Sequence, residues 1–114
     1  MEKKAIRFSC NWNNKLNCTA FSTIRLWNPE KYSVGQVHSV IYETRSKVTR
    51  CPIDAEIMYV RKIKGSDLNE AMCLIDTGYS LEETKKALRR MYEGKDIEVT
   101  DFAFVVYRYK VEMR

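Results

Sequence analysis

The pattern of apolar and polar positions predicts several short strands, a helical segment and a last strand. Apolar and polar residues alternate over Ala55–Ile63, which predicts a long strand, and the run Phe102–Tyr109 is apolar on both faces, as expected of a central strand. Shorter strands are predicted at Lys4–Phe8 and Gln36–Tyr42. The charged stretch Thr44–Arg50, which lies between the second of these strands and Ala55–Ile63, is predicted to be a hairpin loop.

Two helices are predicted between the long strand and the last strand. Ser66–Asp67 offers a cap for the first, with Glu70 completing a capping box, and Gly78 is expected to end it. The second starts at Ser80, which forms a capping box with Glu83. The helices are therefore expected near residues 67–76 and 80–93.

This order of elements indicates an α+β fold rather than a parallel α/β fold. With five or six short strands, a small mixed β-barrel with flanking helices fits the pattern. The 114 residues suffice for one domain with a single core, which we expect to span residues 1–114.

Composition narrows the class of protein without fixing its function. The hydrophobic fraction of 45% and the charged fraction of 31% are typical of a soluble globular protein, and no apolar run reaches membrane-spanning length. The chain starts with charged residues that no apolar signal core follows, so we expect a cytoplasmic protein with no membrane partner. A net charge of +5 fits a protein that meets nucleic acid, and it equally fits an ordinary basic surface.

The cysteines do not predict a metal site. They lie at positions 10, 18, 51 and 73, without a Cys-x-x-Cys pair, and His38 is the only histidine in the chain. We expect four free thiols, no metal and no cofactor, and we interpret His38 as a strand residue rather than a catalytic base.

The residues Thr23 and Arg25 are the first candidates for chemistry. They lie two apart, so on a strand they point to the same face, and a hydroxyl beside a guanidinium suits an anionic or carbonyl-bearing ligand. Because Thr-x-Arg is so short, a strand start with a solvated arginine is the simpler explanation of the pair taken alone. If the strand continues, Trp27 shares that face and can stack on a base, and a turn at Tyr32-x-x-Gly35 follows.

The order of these pieces resembles the ASCH domains, relatives of the PUA fold that are associated with RNA. The resemblance runs from about Phe8 to Tyr109 and is nearest to the small bacterial ASCH proteins, some of which hydrolyse acetylcytidine. It implies a PUA-like barrel and a pocket around the Thr-x-Arg pair. The matching positions are Thr23, Arg25, Tyr32, Gly35, Ala55–Ile63, the helical region Asp67–Glu93 and Phe102–Tyr109.

The chain departs from the family motif Gly-x-Lys-x-x-Thr-x-Arg at its first two fixed positions. Ala20 stands where the hydrolase branch has its catalytic lysine, whereas the catalytic threonine is kept as Thr23. The glutamate of that branch falls at or near Thr77, with Asp76 adjacent. Lys15 is the nearest upstream lysine, and its position in the sequence gives it no role.

Three functions remain open on these observations. The first is a module that binds RNA, a nucleotide or a modified nucleoside through Thr23, Arg25, Trp27 and Tyr32. The second is a small amidohydrolase acting on an acylated cytidine, with Thr23 and Asp76 as its catalytic residues. The third is a non-catalytic protein-interaction module with a vestigial pocket. No pattern in the chain indicates its oligomeric state.

Overall fold

The computed structural model describes residues 4–110, and the charged start of the chain at residues 1–3 lies outside the described part. The strands are β1 (Lys4–Phe8), β2 (Ala20–Leu26), β3 (Val37–Glu43), β4 (Val48–Arg50), β5 (Ala55–Lys64) and β6 (Asp101–Tyr109). The helices are α1 (Glu70–Thr77) and α2 (Leu81–Met91), and 3₁₀ turns cover Trp12–Asn17 and Gly65–Asp67. No helix within these residues is long and apolar enough to cross a membrane.

The strands form one mixed sheet, which confirms the predicted α+β class. Its order is β1-β3-β5-β6-β2, with β4 paired to β3. The pair β1–β3 is parallel, and the other pairs are antiparallel. The predicted loop Thr44–Arg50 is wrong in its second half, because Val48–Arg50 pairs with Ile41–Glu43. All three β4 side chains are exposed, so no apolar alternation marks this strand in the sequence.

Two hydrophobic cores pack against the sheet. The inner core lies inside the curve of the sheet, and the helix core lies between the sheet and the two helices. Strand β6 contributes Val105 and Tyr107 to the inner core and Phe102 to the helix core, which confirms that it is a central strand. The inner core contains Ile6, Phe8, Phe21, Tyr32, Val40, Ala55, Ile57, Ala103, Val105, Tyr107 and Tyr109. The helix core contains Ile24, Ile63, Leu68, Cys73, Leu88, Ile97 and Phe102.

The sheet curls until its two edge strands, β1 and β2, approach each other. The rings of Phe8 and Phe21 meet edge to face with their centres 5.8 Å apart. Arg25 Nη2 also donates a hydrogen bond of 2.6 Å to the carbonyl oxygen of Arg7. Among residues 4–110, no backbone pairing joins β1 to β2, so the sheet is not closed and the predicted barrel is not confirmed. We call this gap between β1 and β2 the seam.

The start of the first helix differs from the prediction. Its cap is Asn69, whose side chain accepts a 2.9 Å hydrogen bond from the backbone N–H of Met72, so the predicted capping box of Ser66–Asp67 and Glu70 is wrong. The reason is the 3₁₀ turn before the helix. Gly65 packs so closely on Ile97 that a Cβ atom would lie 1.8 Å from the Ile97 carbonyl oxygen. The chain therefore turns at Gly65 and begins its α-helix only afterwards.

The end of the first helix and the start of the second follow the sequence, whereas α2 ends at Met91 with Tyr92 as its cap, short of the expected residue 93. Gly78 takes a left-handed conformation with φ of 79° and ends α1, as predicted. The Ser80 hydroxyl accepts a 3.2 Å hydrogen bond from the backbone N–H of Glu83, which confirms Ser80 as the cap of α2. The short connection places the end of α1 and the first turns of α2 together beside β2.

Candidate functional site

Strand β2 supplies the two predicted site residues from an unpaired edge. Its residues alternate between the cores, so that Thr23 and Arg25 point towards the seam while Ser22 and Ile24 point towards the helices. Since β6 occupies only one side of β2, the other side is left free to border a cavity. The expected shared face of Thr23 and Arg25 is therefore present in the structure.

A cavity of about 200 Å³ lies along this edge of β2. Apolar side chains form most of its wall, and polar groups of β2 and the helices form the rest. Thr23, Arg25 and Asp76 all line it, so the structure brings together three of the predicted site residues. The lining residues are Arg7, Phe8, Ser9, Cys10, Trp12, Thr23, Ile24, Arg25, Asp76, Thr77, Thr84, Leu88 and Met91.

Arg25 is held in one orientation by neutral groups. Its Nε donates a 2.9 Å hydrogen bond to the Thr23 hydroxyl, and its Nη2 donates to the Arg7 carbonyl oxygen. The guanidinium carbon lies over the Phe8 ring, 4.6 Å from the ring centre. These contacts fix the guanidinium plane without neutralising its charge, and its remaining N–H groups can donate to a ligand.

Asp76 forms a buried ion pair that the sequence does not reveal. Asp76 and Lys15 are 2% and 5% exposed, and Lys15 Nζ lies 3.2 Å from Asp76 Oδ1. The Ser22 hydroxyl donates a 2.7 Å hydrogen bond to the same oxygen. Lys15 comes from the 3₁₀ turn Trp12–Asn17, 61 residues before its partner. Because this turn is rich in asparagine, nothing local in the sequence indicates that its lysine is buried.

Burial lowers the pKa of the Lys15 ammonium from its ordinary value. Desolvation is the largest cause, the positive charge of Arg25 adds to it, and the attraction of Asp76 opposes it. A larger share of Lys15 is therefore in the neutral amine form than for a solvated lysine. The amine lies beside Asp76, which lines the cavity, but Lys15 itself is not a lining residue.

Asp76 and Thr77, the two positions at which the resemblance puts the acidic residue, have different hydrogen-bond partners. The Thr77 hydroxyl donates a 2.8 Å hydrogen bond to the Cys73 carbonyl oxygen and lies 3.0 Å from the Thr84 hydroxyl. Thr77 therefore links the two helices, whereas Asp76 offers a carboxylate towards β2. Ala20 is exposed at the start of β2, pairs with Arg108 and does not line the cavity.

Trp27 and Tyr32 lie away from the cavity. The backbone N–H of Trp27 donates to the Asp101 carbonyl oxygen, and its half-buried ring packs against the inner core below Lys62. Tyr32 is 5% exposed within the inner core, and burial raises the pKa of its hydroxyl. The aromatic residues that border the cavity are Phe8, whose ring is covered by Arg25, and Trp12, which the sequence places only in a polar turn.

Trp12 is held at the cavity by a second aromatic residue. The rings of Trp12 and Tyr79 meet edge to face with their centres 6.4 Å apart. Tyr79 follows α1 and is 45% exposed. Trp12 and Tyr79 are 67 residues apart in the chain, so no local sequence pattern predicts that their rings meet.

His38 and the cysteines do not form a site in residues 4–110. His38 is fully buried between Tyr107 and Gln36, outside the cavity. All four cysteines are free, and Cys10 borders the cavity while Cys73 lies in the helix core. Within the described part of the chain, no group of three or more His, Cys, Asp or Glu residues is placed to hold a metal ion.

Comparisons with protein-family models, with curated proteins and with solved structures find no match to this chain. Membership of the ASCH domains therefore stays a proposal.

Proposed function

We propose that this domain is an ASCH-type module that binds RNA or a nucleotide and holds a single base or modified nucleoside in the cavity beside β2. The observation that carries the proposal is the convergence of Thr23, Arg25 and Asp76 on one cavity. The curled sheet is consistent with a PUA-like barrel whose last pairing, between β1 and β2, is replaced by side-chain contacts.

The size and chemistry of the cavity support a small planar ligand. Its volume of about 200 Å³ is below the range of roughly 300–1,000 Å³ usual for drug-sized ligands, so it suits one base rather than a longer segment. Trp12 provides an aromatic face on which a base can stack. Arg25 donates hydrogen bonds and Asp76 accepts them, which is the combination that the edge of cytosine or adenine requires.

Titration of labelled single-stranded RNA and of cytidine tests the proposal. We expect weak binding that falls with salt for the RNA, because part of its affinity comes from phosphate attraction. Trp12→Leu should weaken binding by about one to three kcal/mol, the size of one stacked base, and Thr23→Val should weaken it by removing a hydroxyl without changing shape. Trp27→Leu is the matched control, since Trp27 does not line the cavity.

Two results would overturn this binding proposal. One is the absence of any binding at low salt, which would leave a protein-interaction module with a vestigial pocket as the better explanation. The other is binding that Trp27→Leu weakens while Trp12→Leu and Thr23→Val do not.

A second candidate function is hydrolysis of an acylated cytidine, and Lys15 is the observation that favours it. Ala20 stands where the hydrolase branch has its lysine, yet the Lys15 amine lies 3.2 Å from Asp76, and Asp76 lines the cavity. A lysine of lowered pKa can act as a base, and Thr23 would supply the hydroxyl that attacks the acyl carbon. Against this candidate, Thr23 Oγ1 accepts a hydrogen bond from Arg25, and no hydrogen bond among the described residues joins it to Lys15.

Incubation with acetylcytidine separates the two functions. The binding proposal predicts that deacetylation is absent or very weak. Ala20→Lys should not create the activity, because Ala20 is exposed and outside the cavity. Efficient turnover that Thr23→Val and Lys15→Met both abolish, with the folded state of each variant verified by circular dichroism, would establish the hydrolase instead.

A further inference from the structure

Four basic residues lie along the seam, the unpaired gap between β1 and β2. Lys4 and Arg7 come from β1, Arg25 comes from β2, and Lys31 follows in the turn after β2. Arg25 touches the backbone of Arg7, and Lys4 Nζ donates to the carbonyl oxygen of Glu30, the residue before Lys31. We call these four residues the seam cluster.

The charged groups of the seam cluster interact mainly with neutral groups and not with carboxylates. Arg25 donates to a hydroxyl and a carbonyl oxygen, and Lys4 donates to a carbonyl oxygen. The Lys31 ammonium lies over the Tyr32 ring, 5.6 Å from its centre. Within residues 4–110, the only carboxylate paired with this cluster is Glu43, which lies 3.6 Å from Arg7 with both side chains more than half exposed.

This arrangement is electrostatically unfavourable while nothing is bound. Lys31 is half-buried, and its pKa is lowered first by desolvation and then by the charges of Arg25, Arg7 and Lys4. Like charges that share a partly desolvated region repel one another more strongly than in water. An anion placed among them would remove that repulsion and complete the hydrogen bonding of the guanidinium and ammonium groups.

We infer that the seam cluster binds a phosphate group, with Arg25 and Lys31 as its main contacts, so that the ligand of the neighbouring cavity is a phosphorylated nucleotide rather than a free nucleoside. This inference rests on the proposed function, since Arg7 and Arg25 belong to both the seam cluster and the cavity lining. A base in the cavity would place its 5′ or 3′ phosphate at the seam. The phosphate can belong to a mononucleotide or to an RNA backbone.

The test compares cytidine, cytidine 5′-monophosphate, a short single-stranded RNA and inorganic phosphate by calorimetric titration at low and high salt. We expect the monophosphate to bind about tenfold more tightly than cytidine at low salt, the size of one charge-assisted hydrogen bond. High salt should reduce that difference. Lys31→Gln should abolish most of it and leave the affinity for cytidine unchanged.

Lys86→Gln is the matched control, because it removes the same charge from an exposed position of α2 that takes no part in the cavity lining. It should preserve the preference for the monophosphate. A further readout is the thermal midpoint of the unliganded protein, which Lys31→Gln should leave unchanged or raise, because Lys31 adds repulsion there. That result would exclude misfolding as the cause of lost binding.

The outcomes separate the phosphate site from the cavity. Equal affinities for cytidine and its monophosphate would overturn the phosphate site while leaving the proposed cavity function intact. Stabilisation by inorganic phosphate that Lys31→Gln removes, without binding of any nucleoside, would support the phosphate site and overturn the cavity function. A preference for the RNA over the monophosphate that Lys31→Gln removes would assign the phosphate to an RNA backbone.

Discussion

His38 is a residue whose environment dictates its protonation state. Gln36 Nε2 donates to the Glu30 carbonyl oxygen, which turns Gln36 Oε1 towards His38 Nε2 at 3.2 Å. His38 Nε2 is then the donor, and its Nδ1 accepts from the Tyr107 hydroxyl at 2.8 Å. Desolvation, followed by the charges of Lys31 and Lys4, lowers the pKa of His38 to about 4. The histidine is therefore a neutral structural residue, in agreement with its interpretation from the sequence.

The lowered pKa of His38 predicts that the folded protein loses stability in mild acid. Its pKa in the unfolded chain is about 6.5, so the unfolded state takes up a proton first as the pH falls below that value. We expect the free energy of unfolding to fall by about 1.4 kcal/mol between pH 7.5 and 5.5 and by about 3 kcal/mol by pH 4. Urea unfolding at these pH values measures it. His38→Gln should flatten the dependence between pH 7.5 and 5.5, and an equally steep dependence in that variant would contradict this role.

Single residues also show how far the sequence predicts the site. The shared face of Thr23 and Arg25 was predictable because a strand places alternate residues on one face, whereas the resemblance put its acidic residue only at or near Thr77, with Asp76 adjacent. Lys15 and Trp12 were not predictable, because their burial depends on contacts with the end of α1 more than sixty residues away along the chain. The expected stacking residue accordingly moves from Trp27 to Trp12.

At the scale of elements, the capping rules predicted helix ends correctly where only neighbouring residues determine the structure. Ser80 and Gly78 cap their helices as predicted, because capping involves only the nearest residues. The start of α1 was misplaced because the close approach of Gly65 to Ile97 is a tertiary contact. Strand β4 was missed because its exposed edge position imposes no apolar alternation.

The corrected helix start makes a direct prediction. Asn69→Ala should lower the free energy of unfolding by about 1 kcal/mol, since it removes the side-chain acceptor for the Met72 N–H. Asp67→Ala, the matched change at the position first expected to be the cap, should alter it by less than about 0.5 kcal/mol. Urea denaturation of both variants measures the difference. A larger effect at Asp67 than at Asn69 would restore the original assignment.

At the scale of the whole molecule, the α+β class follows from the order of elements, but the curl of the sheet does not. The parallel pairing of β1 with β3 brings β1 opposite the free edge of β2, and this pairing joins segments that are distant in sequence. The seam and the cavity both result from that incomplete closure. A fully paired barrel would hydrogen-bond the edge of β2 that now borders the cavity.

The most direct test of the cavity as the binding site uses the two tryptophans, whose indole N–H groups give separate signals in a ¹H–¹⁵N spectrum. Trp12 borders the cavity and Trp27 does not. A Trp27→Phe variant identifies which signal belongs to Trp12. On titration with cytidine 5′-monophosphate, we predict a saturable shift of the Trp12 signal with the Trp27 signal nearly unchanged. A saturable shift of Trp27 alone, or no shift of either signal at millimolar ligand, would contradict the assignment of the cavity as the nucleotide site.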